Sequence, residues 1–380
     1  MRTVGELALA LERIAPRELA EPWDNVGLLA GLDAAPLRGP VVLTIDLSAG
    51  VAEEAVGARA SAVVAYHPPI FAPLRRLGQG AGTRGEALQR VLAAGMALYS
   101  PHTALDAAPG GVTDWLADGV AGAGGEAGPR RVLRPHQSLR PGEELKVVTF
   151  LPAEAADGVR AALAGAGAGR IGGYTLCSFA APGTGTFVGG PGTSPAVGEA
   201  GRLERVSELR LEMVCAPGDL LAVLEALRRA HPYEQPGVDV YQVVARPQAD
   251  VGAGRVVELA RPMGAEGIAA NLKRHLGVEG VLVARAPGGT GSAERVGVCP
   301  GSGFALAEAA ARAGCGVYVA GEMKHHDVLA CLDLGLSVVL AGHTETERGY
   351  LPVLARRLEA ELPGVEVVVS GADRSPGRWV

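Results

Sequence analysis

No apolar run in these 380 residues is long enough to span a membrane, and charges interrupt the helically spaced apolar residues of Met1–Arg13, so that no signal-peptide core forms. A membrane partner is not expected. Nor is there a basic arm or basic amphipathic helix, and the net charge of -6 gives no general attraction for nucleic acid. The 5 cysteines, Cys177, Cys215, Cys299, Cys315 and Cys331, are odd in number, dispersed and without a Cys-x-x-Cys pair. They predict a reduced, cytoplasmic protein in which most cysteines, Cys331 among them, are small apolar core residues rather than nucleophiles. Gly183-Thr184-Gly185-Thr186 lacks the Lys-Ser or Lys-Thr continuation of a P-loop.

What is present is enough apolar material, 48% of residues, for the cores of two or three domains, with 55 glycines and 26 prolines punctuating periodic segments. The Gly-Ala-rich interval Val120–Arg131 reads as a linker. Strands are predicted at Val41–Ile45, Ala62–Ala65 and Met96–Tyr99, with helices between them at Val51–Arg59 and Gly85–Ala94. The last third repeats the rhythm with strands at Val296–Cys299, Val317–Ala320 and Val338–Ala341. Alternation of this kind predicts an α/β domain with a mostly parallel sheet covered on both faces, and ligands that gather at the carboxyl ends of its strands.

The middle differs. Strand Leu145–Leu151, a helix near Glu154–Ala164 and a strand near Tyr174–Phe179 are followed by strand Leu209–Cys215, helix Asp219–Ala230 and strand Val238–Val244. Two matching strand-helix-strand runs predict a ferredoxin-like α+β domain. The expected organisation is a discontinuous three-layer α/β domain formed by residues 1–130 and 252–380, with the ferredoxin-like domain inserted at 145–245.

Five of the 8 histidines fall in four short segments: Tyr66-His67-Pro68-Pro69, His102-Thr103-Ala104-Leu105-Asp106, Glu322-Met323-Lys324-His325-His326-Asp327 and Ala341–Gly349. His343 and Glu347 stand four apart at the mouth of a predicted helix, a spacing that lets an imidazole and a carboxylate share one ion. The competing reading is a helix start with Thr344 as cap and Glu347 closing a capping box. All four segments follow predicted strand ends, as Asp46 does. Gly301-Ser302-Gly303 reads as an anion-holding turn or simply a tight strand-to-helix turn.

These segments, with Glu-Pro-Trp-Asp-Asn-Val-Gly-Leu from Glu21 and Ser-Pro-His-Thr-Ala-Leu-Asp from Ser100, resemble the NGG-interacting-factor-three-like family, also known as GTP cyclohydrolase I type 2 homologues, in the same order along the whole chain. His231-Pro232-Tyr233-Glu234-Gln235-Pro236 is similar to the middle domain of long family members and to the divalent-cation-tolerance proteins. The resemblance implies metal ligands at His67, Asp106, His343 and Glu347, with Tyr66, His102, His326 and Asp46 behind them. It implies two divalent ions per subunit (zinc, iron, manganese or cobalt) and hydrolase chemistry on a small molecule, a nucleotide among the candidates. A non-enzymatic metal-binding or regulatory scaffold is the alternative. The same likeness implies a homohexamer of two trimers. Trp23 and Asn25 would line the cleft or pack and turn beside it. The chain departs from many members at Tyr66, where they carry a second histidine; a neutral phenol is a poor ligand, which weakens one of the two ion positions.

Overall fold

Thr3 opens the first helix, Val4–Ile14, with a capping box: its hydroxyl accepts from Glu6 N at 3.3 Å and Glu6 returns a bond to Thr3 N at 2.9 Å. Ser48 and Thr83 cap Ala49–Gly57 and Arg84–Ala93 with the hydroxyl alone, accepting from Val51 N and Glu86 N. The computed structural model describes residues 1–77, 82–122, 127–288 and 292–377, so residues 123–126 of the expected linker lie outside it. Its contacts divide the chain into one unit of Met1–His136 with Gln248–Val380 and a second of Gln137–Pro247.

In chain order the strands are β1 (Gly27–Ala30), β2 (Val41–Thr44), β3 (Ala62–Ala65), β4 (Ala97–Ser100) and β5 (Ala127–Ser138). Then come β6 (Leu145–Leu151), β7 (Phe179–Val188), β8 (Leu203–Cys215) and β9 (Val238–Gln242). The chain closes with β10 (Arg246–Met263), β11 (Leu282–Ala284), β12 (Ala293–Val298), β13 (Val317–Ala320), β14 (Ser337–Leu340) and β15 (Val367–Val369).

The α/β class is as expected, but the strands of the first unit form two mixed sheets rather than one mostly parallel sheet. One is ordered β1-β4-β3-β2-β15, parallel except for β1; the other is ordered β11-β14-β13-β12-β10-β5, with β12, β13 and β14 parallel, β10 antiparallel to β12 and β11 antiparallel to β14. The first sheet takes its parallel core β2-β3-β4 from the N-terminal part of the chain and β15, also parallel, from the C-terminal part, while β12-β13-β14 form the parallel core of the second.

Both sheets are buried on both faces, which is why their parallel strands are nearly continuous Val, Ala and Leu. In the first sheet Val41, Leu43 and Val64 face the helices Val4–Ile14 and Leu351–Glu361, while Val42, Val63 and Leu98 face Ala49–Gly57 and Arg84–Ala93. In the second, Val296 and Val319 meet Val112–Ala121 and Ala265–Leu276, and Tyr318 and Val338 take the opposite face with Cys331, which is a core residue as expected.

One buried cation fixes the first unit locally. Arg255 on β10 is 2% exposed and pairs its Nε with Asp114 Oδ1 at 2.8 Å. It also donates to the carbonyls of Gly252, Gly254, Ala107 and Ala108 at 2.7, 3.0, 3.3 and 3.4 Å, and so holds the end of the helix His102–Ala107.

The second unit is a four-stranded antiparallel sheet, order β7-β8-β6-β9, with helices Ala156–Gly165 and Leu220–Ala230 packed on Val147, Leu151, Leu211 and Met213. Its third element differs from expectation: β7 runs from Phe179 to Val188 and so begins only at the last residue of the predicted Tyr174–Phe179 stretch. Gly183-Thr184-Gly185-Thr186 lies within this edge strand and lines a groove of about 700 Å³ together with Phe150, Arg210 and Tyr233. His231 is buried, its Nε2 toward Phe150 O at 3.1 Å and its Nδ1 accepting from Tyr233 N at 3.1 Å, which accounts for the His-Pro-Tyr sequence as a locked turn.

Candidate metal centre

The carboxyl ends of β2, β3, β4, β13 and β14 supply the side chains of one cluster, and the glycine turn after β12 lies against them. After β3 the backbone still follows the ladder, with Tyr66 N on Thr44 O at 2.9 Å and His67 N on Ile45 O at 3.0 Å, so His67 emerges at the sheet's end in a fixed position. From the other half, Gly342 N bonds Gly321 O at 2.9 Å and so carries the β13/β14 register past the strand ends. That register puts Glu322 beside His343.

His67, His343 and Glu347 bring one ligand atom each within 4.8 Å of one another. Glu347 sits between the imidazoles: Oε2 lies 3.4 Å from His67 Nε2 and Oε1 lies 3.3 Å from His343 Nε2. The other ring nitrogen of each histidine is taken by a second carboxylate, Asp46 Oδ1 at 3.2 Å for His67 and Glu322 Oε1 at 2.9 Å for His343. Carboxylates on both Nδ1 atoms fix the tautomer and leave both Nε2 lone pairs directed at Glu347, the orientation in which imidazoles bind a cation.

Two observations test whether a cation fits. Glu347 is 3% exposed, yet its Oε2 has only the 3.4 Å approach of His67 Nε2 and no well-formed hydrogen bond; a buried acceptor left this way costs free energy unless something else satisfies it. The second is a cradle that a methyl group would fill. Gly301 has φ of 59°, and a Cβ built on it would stand 2.6 Å from Glu347 Oε1 and 3.2 Å from His343 Nε2. The Gly301-Ser302-Gly303 turn therefore keeps space open at the ligands, and Gly301 N donates to Thr346 Oγ1 at 3.0 Å. Imidazoles with a carboxylate suit zinc, iron, manganese or cobalt better than calcium.

Without an ion, protons do the pairing. Burial works against a charged His67, but pairing with Asp46 and Glu347 outweighs it and raises its pKa to about 10. Pairing with Glu347 likewise raises His343 to about 9. Burial pushes Glu347 up, and the two imidazoles more than reverse this, holding it below the usual carboxylate range.

Asp106 is near this charge but outside the triad. Tyr66 is buried and donates its hydroxyl to Asp106 Oδ1 at 2.5 Å, while burial and the Asp106 charge push the phenol far above its ordinary pKa. Burial raises Asp106 to about 7, even against the hydrogen bond from Tyr66. His102 flanks the cluster, its ring 5.3 Å from that of His67 and its Nδ1 2.8 Å from Asp24 Oδ1. His326 is exposed on the helix His325–Asp333 with its ring 5.5 Å from that of His325, one turn past the strand-end position that Glu322 occupies. Thr344 makes no cap bond; its hydroxyl goes to Ser375 at 3.3 Å, and Glu347 turns to the imidazoles, so the capping-box reading fails.

The residues not singled out from sequence are Glu322 and Asp24; Gly301, read there as part of an anion-holding or tight turn, stands against the ligands Glu347 and His343. Glu322 and Asp24 lay inside the segments that drew attention, and only the register and the tertiary contacts show what they hold.

The chain matches the Duf34/NIF3 (NGG1p interacting factor 3) family over residues 2–376. It is 35% identical over 370 residues to the GTP cyclohydrolase 1 type 2 homolog of Bacillus subtilis, covering 96% of this chain and 95% of that protein. With NIF3-like protein 1 of Bos taurus it shares 30% identity over 375 residues, 97% of this chain and 90% of that one. Among solved structures, the Bacillus cereus protein related to NIF3 superposes with a TM-score of 0.64 at 31% identity, covering 100% of this chain and 99% of that chain.

Proposed function

This chain belongs to the Duf34/NIF3 family, and from that premise we propose that it is a metal-dependent hydrolase whose ion is held by His67, His343 and Glu347. The observation that carries the reading is the convergence of two Nε2 atoms, each oriented by its own carboxylate, on the two oxygens of the buried Glu347 carboxylate. A divalent cation held there supplies Lewis acidity at neutral pH. The protein's part is to fix both imidazoles through Asp46 and Glu322, to keep the cradle open at Gly301, and to exclude water behind Glu347.

Two ions per subunit would draw on Asp106 as a further ligand. Tyr66 already engages one of its oxygens, so the second position is the weaker of the two in this chain. The substrate is a small molecule, and the name carried by the Bacillus subtilis relative makes a nucleotide the first to try. For residues 137–247 we propose the ferredoxin-like class, on two strand-helix-strand runs with the order β7-β8-β6-β9. The groove on that unit favours a second reading, a metal-loaded regulatory scaffold without turnover. Among the described residues no helix is long and apolar enough to cross a membrane; we assign the protein to the cytoplasm as a homohexamer of two trimers.

Metal analysis of protein purified without chelator, with a hydrolysis screen over phosphoesters, nucleotides and amides, tests the reading. Turnover that requires both the metal and His343 supports the enzyme. Stoichiometric metal without turnover supports the scaffold, and absence of metal refutes both.

A further inference from the structure

The rings around the centre continue beyond its ligands. His343 meets His67 at 5.4 Å between centroids, His67 meets His102 at 5.3 Å, His102 meets Trp23 at 6.1 Å, and Trp23 meets Phe71 at 6.0 Å. The histidine side chains are 32%, 22% and 15% exposed in that order, whereas Trp23 is 60% and Phe71 54% exposed. Two large aromatic rings side by side in water, at the end of a row that starts at the candidate ligands, form an apolar patch that packing does not explain.

Their backbones are anchored although their rings are not. The Asp24 side chain is fully buried and accepts from His102 Nδ1 at 2.8 Å and Thr103 N at 3.1 Å. Asn25 donates its side-chain amide to the carbonyl of Ile70, the residue before Phe71, at 2.5 Å. The segments carrying the indole and the phenyl ring are therefore tied to each other and to the site's floor, while the rings stand free. A preformed aromatic surface of this kind costs a ligand little ordering entropy.

We propose that Trp23 and Phe71 form a stacking platform for a flat heteroaromatic ring of the substrate, which sets the rest of the molecule at His67, His343 and Glu347; this rests on the reading of that triad as the reaction site. The centroid spacing of 6.0 Å is a span that a fused bicyclic ring covers better than a single ring. Stacking needs no base-specific hydrogen bonds, since every such ring offers a π face, and it fits a site with no triphosphate-cradling loop in its sequence.

The test is equilibrium dialysis of the metal-loaded full-length protein against guanosine, with ribose as the ring-free control and metal content measured on every preparation. Wild type is expected to bind guanosine and not ribose. Trp23→Ala should bind at least about fivefold more weakly, Trp23→Phe should retain most of the affinity, and both should keep their metal. Phe71→Ala gives a second reading if Trp23→Ala misfolds. Equal guanosine affinity in wild type, Trp23→Ala and Phe71→Ala overturns the platform, as does failure of metal-replete wild type to bind guanosine at all. Trp23-dependent guanosine binding by protein that carries no metal would refute the metal centre and leave the platform standing. Trp23→Ala that changes the sedimentation coefficient, in protein whose wild type binds no guanosine, assigns the rings to a protein contact and also overturns the proposal.

Discussion

Replacing the carboxylates behind the two imidazoles should separate their contributions in an order opposite to their distances. Glu322 is nearer its histidine, 2.9 Å against 3.2 Å for Asp46. But the Glu322 side chain is 60% exposed and Asp46 only 28%, with His67 itself at 22%. Two unit charges at 4 Å interact by about 1 kcal/mol in water and about 4 kcal/mol at an effective dielectric near 20, so burial decides the ranking. Losing a partner of this kind typically weakens metal affinity by about 10- to 100-fold. Asp46→Ala should fall near the upper end, about 2.7 kcal/mol, and Glu322→Ala below about tenfold. Asp46→Asn should lie between wild type and Asp46→Ala, because the amide oxygen can still accept from His67 Nδ1 although the charge is gone. Competition of each variant with a chromogenic zinc chelator at one pH reads these constants. If Glu322→Ala costs more than Asp46→Ala, or neither shifts the affinity, the two-carboxylate account of the ligands is wrong.

Gly301→Ala should abolish stoichiometric metal binding while leaving the circular dichroism spectrum near wild type, because the added methyl enters the space beside Glu347 and His343; full metal content in the variant would refute this. His343→Ala should lose the metal and Tyr66→Phe should keep it, as measured by elemental analysis, and equal loss in the two would make Tyr66 a ligand. His67 and His343, at about 10 and about 9, lie above their unfolded value of about 6.5. Their stabilisation of the metal-free protein is therefore complete below about pH 6.5, declines as pH rises, and is gone above about 10. Thermal melts in chelator should fall across that window, and melts of metal-loaded protein should fall less. Arg255→Met leaves Asp114 without its cation and should destabilise the protein by about 3–5 kcal/mol, whereas a change under about 1 kcal/mol in denaturant unfolding would show that the pair is dispensable.

The parallel strands could be read from the sequence because strands buried on both faces must be runs such as Val41-Val42-Leu43 and Val317–Ala320, and the placement of His67 and His343 followed from where those runs stop. Whether the halves share a sheet was not legible, because pairing across long separations depends on edges, and β15 and β5 join sheets far from them in sequence. Glu322 and His326 show the same limit within the site. Both are ligand types in one segment, and only the β13/β14 register selects the first for His343. Asp24 was hidden for a related reason: a buried aspartate that organises a histidine and a threonine looks, in sequence, like a turn residue.

The triad joins position 67 to positions 343 and 347, with the whole second unit between them in the chain. An ion there acts as a reversible cross-link that closes a very long loop, and the unfolded chain, lacking the assembled ligands, has little hold on it. Occupancy then feeds directly into the folding equilibrium, by about 2.7 kcal/mol when free metal is 100 times its dissociation constant. Scarcity of metal would therefore first be seen as a loosened junction between the two halves of the chain, and the abundance of the folded protein would follow the supply of the ion.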